Sequence, residues 1–297
     1  MRSSVKIFSN FEYKKQFLPG ISNQVLLNNA QLQVYRIEDY LRDIVIPVLP
    51  YRTSFNFLIF VTKGHIVQQL ETGSHRLNTN SILLIRQGNI TATLEISRDA
   101  EGFFVVFENE ITESLALNRQ LFNFFFTSPF VKLPTPAVRW LSQLVQLMEE
   151  ELTMKNASLE VAIGVFRPFL QKIIASAAEG HGNMTRATEI SLHFRELVQQ
   201  HHLKQRQVSY YAQKLNITEN YLNKVVKQAT GKPPKQWINE VNILHSQILL
   251  QDGGRDISSV AFELNFQSPN YFARLFRQVT GESPTNYKKR VAINVSK

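Results

Sequence analysis

Ala261-Phe262-Glu263-Leu264-Asn265-Phe266-Gln267-Ser268-Pro269-Asn270-Tyr271-Phe272 is the second writing of a pattern that the chain already carries. The first copy has Ala212, Leu215, Asn216, Asn220-Tyr221, Gln228, Thr230-Gly231 and Pro234; the second has Ala261, Leu264, Asn265, Asn270-Tyr271, Gln278, Thr280-Gly281 and Pro284. The offset is 49 residues up to the Asn and 50 after it, so the second copy has one more residue in its turn. Two copies are too few for a solenoid and enough for a duplicated small module. Each copy reads as helix, turn, helix. Asn216 and Asn265 sit where a tight turn needs the left-handed conformation, which Asn tolerates almost as Gly does.

The helices that follow these turns are predicted over 219–229 and 269–279. In the first, Leu222, Val225, Val226 and Ala229 fall at i, i+3, i+4 and i+7 and predict a buried face; Phe272, Leu275, Phe276 and Val279 repeat it. Asn220, Asn223, Lys224 and Lys227 project elsewhere in the first helix, as do Asn270, Arg274 and Arg277 in the second. Ser268 is a good N-cap, and Pro269 suits the first helical turn. An outer face of Asn, Lys and Arg suits the major groove, where Asn pairs bidentately with adenine and Arg or Lys with guanine. Glu219 is the acidic exception, read first as a partner for the helix dipole. Between the modules, Pro233 to Gln251 reads as one helix with Trp237, Ile238, Val241, Leu244, Ile248 and Leu249 apolar. Some eighteen residues at 1.5 Å each reach about 27 Å, enough with module offsets to set two reading helices roughly one DNA turn apart.

Charge follows the same division. The chain of 297 residues has a net charge of +9, and residues 181–297 contribute 16 Lys+Arg against 8 Asp+Glu. A basic region joined to a nearly neutral one points to a polyanionic partner for the basic part. The absence of Cys excludes disulfides, zinc fingers and thiol nucleophiles, and with them a cysteine-based alkyl acceptor. No Gly-x-Ser-x-Gly elbow or Gly-rich phosphate loop occurs. The first ten residues lack a sustained apolar stretch, and the longest apolar runs, Phe55–Val61 and Leu121–Phe126, are too short for a bilayer. The expectation is a cytoplasmic protein with no membrane partner.

Residues 1 to about 110 read as short strands with turn signals, a sandwich or small barrel. Leu115–Phe126 predicts a short helix. Ala137–Met154 and Ser158–Ala178 are amphipathic, with Pro168 expected to kink or split the second. Their apolar faces are expected to pair with those of another copy of the chain rather than only cover the strands. Glu179–Thr185, with two Gly and no apolar period, predicts a linker.

From Ile257 through Phe276, and then Thr280-Gly281-Glu282-Ser283-Pro284 with Tyr287, the chain resembles the DNA-binding domain of the AraC/XylS family of bacterial transcription regulators. The resemblance covers about 100 residues, Thr188 to Arg290. By position it implies base contacts from Asn220, Asn223 and Lys224 in the first module and from Pro269, Asn270, Tyr271 and Arg274 in the second, while Lys227 and Arg277 are expected on phosphates. Pro269 falls at a base-contact position where it has no side-chain hydrogen bond to offer, and Val226 stands where a larger Phe is common. The N-terminal half is more loosely similar to the cupin-like sensor domain of such regulators.

The expected fold is therefore multidomain α+β: a cupin-like β-barrel sensor over 1–136, a helical dimerisation segment over 137–180, a linker over 181–187 and an all-α DNA-binding domain over 188–297, with two helix-turn-helix modules joined by a linker helix. The resemblance implies a transcription activator acting on double-stranded DNA as a homodimer, with RNA polymerase and a small-molecule effector as further partners and no cofactor. The competing reading is a metal-dependent cupin-type enzyme with an appended DNA-binding domain. Only His65 and His75 are available to it among the predicted strands, with no His-x-His pair, so no catalytic or metal-binding residue is assigned. The aromatic strands Phe55–Phe60 and Phe103–Phe107 could line an effector pocket or simply be core.

Overall fold

A computed structural model describes residues 7–114, 129–178, 185–252 and 254–295. The helix predicted over Leu115–Phe126 and residues 179–184 of the predicted linker lie outside the described residues. The chain divides into two compact units, one drawn from residues 7–183 and the other chiefly from 184–297.

Among the described residues the N-terminal unit holds ten strands: β1 Ile7–Phe8, β2 Leu32–Arg36, β3 Tyr51–Thr53, β4 Asn56–Lys63, β5 His65–Leu70, β6 Gly73–Asn78, β7 Ser81–Ile85, β8 Ile90–Ile96, β9 Glu101–Phe107 and β10 Phe130–Lys132. They form two five-stranded sheets, β1-β3-β8-β5-β6 and β10-β7-β4-β9-β2. The expected barrel is thus corrected to a pair of separate sheets. Closing a barrel needs an unbroken ring of paired strands. Here the second sheet ends at β2 and β10, where helices take over the packing.

Those helices are Thr135–Thr153 and Leu159–Ala178, close to their predicted limits. β4 is buried along six consecutive residues, as a central strand covered on both faces must be. Leu58 and Phe60 of β4, with Phe103, Val105 and Phe107 of β9, share one core with Leu141, Val145, Met148, Phe166, Phe169 and Ile173 of the helices. Phe57, Ile59, Phe104 and Val106 alternate to the other face and are buried as well. The apolar faces predicted to pair with another copy are therefore covered by the second sheet. Trp140, Leu147, Met154 and Val161 remain exposed beside them. The second helix runs unbroken through Pro168, held on both sides of it by buried Phe166 and Phe169.

Before β3 the chain is less strand-like than predicted. Asn10–Phe17 is a helix, capped where Ser9 Oγ accepts from the Glu12 amide and the Glu12 carboxylate accepts from the Ser9 amide. This helix buries Lys14, whose ammonium donates to the carbonyls of Val25 and Asn28, to Gln33 Oε1 and to Tyr35 Oη. Burial lowers its pKa to about 8.

Gly102 of β9 pairs with Val61 of β4, where the register shifts between Val61 and Lys63. Its φ is +145°, and an added Cβ would stand 2.0 Å from the Phe60 carbonyl oxygen. Gly102→Ala is expected to destabilise the N-terminal unit by roughly 1–3 kcal/mol, read as a lower midpoint in denaturant unfolding. An unchanged midpoint would show that the bulge relaxes freely.

Among the described residues no helix is long and apolar enough to cross a membrane. His65 bonds Glu95 at 2.8 Å, and His75 stacks on Phe130. The described residues contain no group of three His, Asp or Glu side chains placed to hold a metal ion.

Candidate nucleic-acid interface

The C-terminal unit opens with the helix Arg186–His201, capped by Thr185. Two helix-turn-helix modules follow. The first joins Val208–Lys214 to Glu219–Thr230, and the second joins Ile257–Glu263 to Pro269–Thr280. Pro284–Val295 closes the unit.

The repeat in sequence is a repeat in geometry. Asn216 has φ +53° and Asn265 φ +54°, the left-handed turn that their positions predicted. The Ile217 amide donates to the Ala212 carbonyl at 3.0 Å, and the Phe266 amide to the Ala261 carbonyl at 3.0 Å. Thr218 and Ser268 cap the second helices by accepting from the amides of Tyr221 and Tyr271. Both helices end on a left-handed glycine, Gly231 and Gly281. Thr230 and Thr280 bond back to the carbonyls of Val226 and Phe276. Asp256 caps the first helix of the second module. Its carboxylate is held below the usual range, first by the Ser259 amide.

Leu222, Val225 and Val226 are buried, as are Phe272, Leu275 and Phe276. Ala229 and Val279 are exposed, against the expectation that they complete the buried faces. Each sits in the last turn, beside the capping glycine and beyond its core. The smaller Val226 is accommodated because Phe194, Tyr211 and Trp237 fill the first core from neighbouring helices.

Pro234–Leu249 joins the modules, 16 residues or about 24 Å long. It is buried nearly all round. Trp237, Ile238 and Val241 belong to the first core, and Ile243 and Leu249 to the second. Such a helix cannot present one apolar stripe; it is interior to the unit.

At 100° per residue, Asn220, Asn223, Lys224 and Lys227 fall on one side of their helix, opposite Leu222, Val225 and Val226. Asn270, Arg274 and Arg277 do the same in the second. Asn220, Lys224, Lys227, Asn270, Arg274 and Arg277 are exposed. Asn223 is half-buried and donates its amide to the Glu219 carbonyl at 3.0 Å. Tyr271 lies on the flank, half-buried, with its ring 6.1 Å from Phe266 and 5.5 Å from the Arg274 guanidinium. Its ring therefore contributes to packing as well as facing the outer edge.

Carboxylates of this unit are drawn into ion pairs elsewhere: Glu240 with Lys232, Asp252 and Glu263 with Arg255, and Glu282 with Arg290. Lys224, Lys227, Arg274 and Arg277 take part in none of the ion pairs among the described residues. Apart from Glu219 at the start of the first, the two helices thus carry outward cations and amides, and those cations are in no ion pair among the described residues. That is the electrostatic footprint a phosphate backbone requires.

A helix-turn-helix domain family matches residues 211–290. The chain is 30% identical over 78 residues to the HTH-type transcriptional activator RhaR of Escherichia coli K12, covering 26% of this chain and 28% of RhaR. It is 29% identical over 87 residues to the Msm operon regulatory protein of Streptococcus mutans, covering 29% of this chain and 31% of that protein. The chain spans about a third or less of the length of these curated relatives. Among solved structures it is similar to ToxT from Vibrio cholerae at 18% identity and TM-score 0.43, covering 88% of this chain and 97% of that one.

Proposed function

We propose that this chain, whose C-terminal half carries a helix-turn-helix domain of the AraC type, is a sequence-specific transcription regulator that reads two successive major grooves of double-stranded DNA. The observation that carries the proposal is the pair of equivalent modules on one shared, buried helix, each with a polar outer face whose cations are in no ion pair among the described residues. Asn220, Asn223, Lys224, Asn270, Tyr271 and Arg274 are the proposed base contacts. Selection of bound duplexes from a random library tests this directly. Two enriched boxes centred about 10–10.5 base pairs apart are expected, and an unenriched pool would overturn the reading.

Lys227 and Arg277 are the proposed phosphate contacts, one turn from the C-terminal end of each reading helix. Removing both is expected to lower the slope of log affinity against log salt by roughly 1.8, since each phosphate contact contributes about 0.9. An unchanged slope would remove them from the phosphate contacts.

The proposal extends to activation, with RNA polymerase as a partner, in keeping with the activator name of RhaR. It also includes a homodimer. With the inner faces of the two N-terminal helices covered, the surface left for pairing is the exposed stripe of Trp140, Leu147 and Met154. Leu147→Glu is then expected to shift the chain from dimer to monomer in sedimentation, and a parent chain that is already monomeric would end this part of the reading.

A small-molecule effector belongs to the proposal as well. The aromatic residues of β4 and β9 are packed core, so the site favoured instead is a cavity of about 680 Å³ beside β2 and the end of Thr135–Thr153. Its wall includes Leu32, Val34, Arg36, Glu149 and Leu152, with Asn28, Gln33 and Tyr35 in front of the buried Lys14 ammonium.

A further inference from the structure

The short segment between Arg186–His201 and Val208–Lys214 is pinned to the rest of its unit at several points. His202 Nε2 lies 2.9 Å from His245 Nδ1 on the linker helix, both rings buried. The Leu203 carbonyl accepts from the side-chain amide of Asn265, the left-handed turn residue of the second module. Arg206 makes the densest set of contacts. Its guanidinium carbon lies over the Phe266 ring, 3.7 Å from the centroid, and Phe266 is itself buried in the second core. One terminal nitrogen donates to the Asn265 carbonyl at 3.3 Å and the other to Asn239 Oδ1 on the linker helix at 3.1 Å. The Arg206 carbonyl accepts from Lys235, also on the linker helix, at 3.0 Å.

Arg206 therefore joins three elements: the entry to the first module, the helix between the modules, and the turn that aims the second reading helix. It does so although it stands before the first module and 60 residues from Phe266. Burial holds its pKa below the usual guanidinium value, so the cation is withdrawn from water to make these contacts. The planar fork explains the choice of residue. Arg can stack on a ring while donating from both terminal nitrogens, and Lys cannot do both.

We infer that Arg206 is a positioning residue for two-groove recognition: by clamping the Asn265–Phe266 turn against the first module and the linker helix, it fixes the separation and direction of the two reading helices. A bivalent reader gains from such stiffness, because the second contact forms at an effective concentration set by how well the two sites are held in register. Loss of the clamp leaves each reading helix intact and loosens their mutual geometry. The DNA consequence rests on the proposed function, while the geometric one stands without it.

Both are tested in the full chain. Because the chain has no native Cys, spin labels can be placed at Gln228→Cys and Gln278→Cys, matching exposed positions in the last turns of the two reading helices. The parent is expected to give one narrow distance distribution, Arg206→Ala a broad or doubled one, and Arg206→Lys an intermediate one. In parallel, affinity is measured for a selected two-box duplex and for the same duplex with one base pair inserted between the boxes. Arg206→Ala is expected to lose roughly tenfold on the intact site and little on the inserted one, so that discrimination between the two collapses. Should Arg206→Ala not fold, Asn239→Ala removes one arm of the clamp and carries the same comparison. A distance distribution identical to the parent's overturns the proposal, whatever happens on DNA. A broadened distribution in a chain that shows no two-box preference supports the clamp and defeats the DNA reading instead.

Discussion

Phe276→Ala is expected to unfold the second helix-turn-helix module. The ring is fully buried, 5.7 Å from Phe272 and 5.6 Å from Tyr287, and the Phe276 carbonyl accepts from Thr280 beside the capping glycine. It therefore joins the reading helix to the closing helix Pro284–Val295 as well as to its own module. Truncating a buried Phe removes its transfer free energy and leaves a cavity, a loss of about 3–5 kcal/mol. Against a typical total of about 5–15 kcal/mol, that is from about a fifth to the whole of the stability of a domain. Val279→Ala, three residues on but 39% exposed, provides the contrast and is expected to change stability by less than about 0.5 kcal/mol. Denaturant unfolding followed by ellipticity distinguishes them. Equal midpoints for the two variants would mean that the second core does not depend on the ring.

The second large effect is on binding rather than folding. Arg274 is exposed, in no ion pair among the described residues, and steadied against the Tyr271 ring. A guanidinium so placed can pair bidentately with a guanine edge, worth about 1–3 kcal/mol of discrimination, or roughly 5- to 150-fold. Arg274→Ala should lose that factor on a selected duplex and far less on random duplex at the same salt concentration. Equal losses on both would make Arg274 a phosphate contact like Lys227 and Arg277. Stability of the variant should hardly change, because Arg274 is exposed.

These expectations differ in how openly the chain declares them. The C-terminal modules are legible because their geometry is written in residue identity. Asn216 and Asn265 mark the left-handed turns, Ser268 a cap, Gly231 and Gly281 the stops. Helical spacing then separates Leu222, Val225 and Val226 from Asn220, Lys224 and Lys227. Spacing alone fails at the helix ends, where Ala229 and Val279 keep the period but have no core left to face. Thr218 caps the first reading helix as Ser268 caps the second, and the spacing Ser9-x-x-Glu12 signals the first helix of the chain; both were open to a reading by cap chemistry.

The N-terminal unit is less legible for a different reason. An amphipathic helix announces that one face is covered and not what covers it. Leu141, Val145 and Met148 would read identically whether they met another copy or, as they do, Leu58, Phe60 and Phe103 of the same chain. Strand order depends on contacts between residues far apart in the chain, so two sheets and one ring share a sequence pattern. Arg206 is the extreme case: no local signal distinguishes it from a solvated cation, and its role exists only where the second module comes back against the first.

The helix Pro234–Leu249 supplies residues to both cores of its unit. Recombination between relatives is consequently constrained in where it can cut. A crossover near Asp252 would graft a second module onto a helix whose far side was shaped for another partner, orphaning Ile243 and Leu249. Exchange of reading specificity is therefore open to single residues on the outer faces, or to the unit taken whole from Thr185 onward. Half of it cannot travel alone.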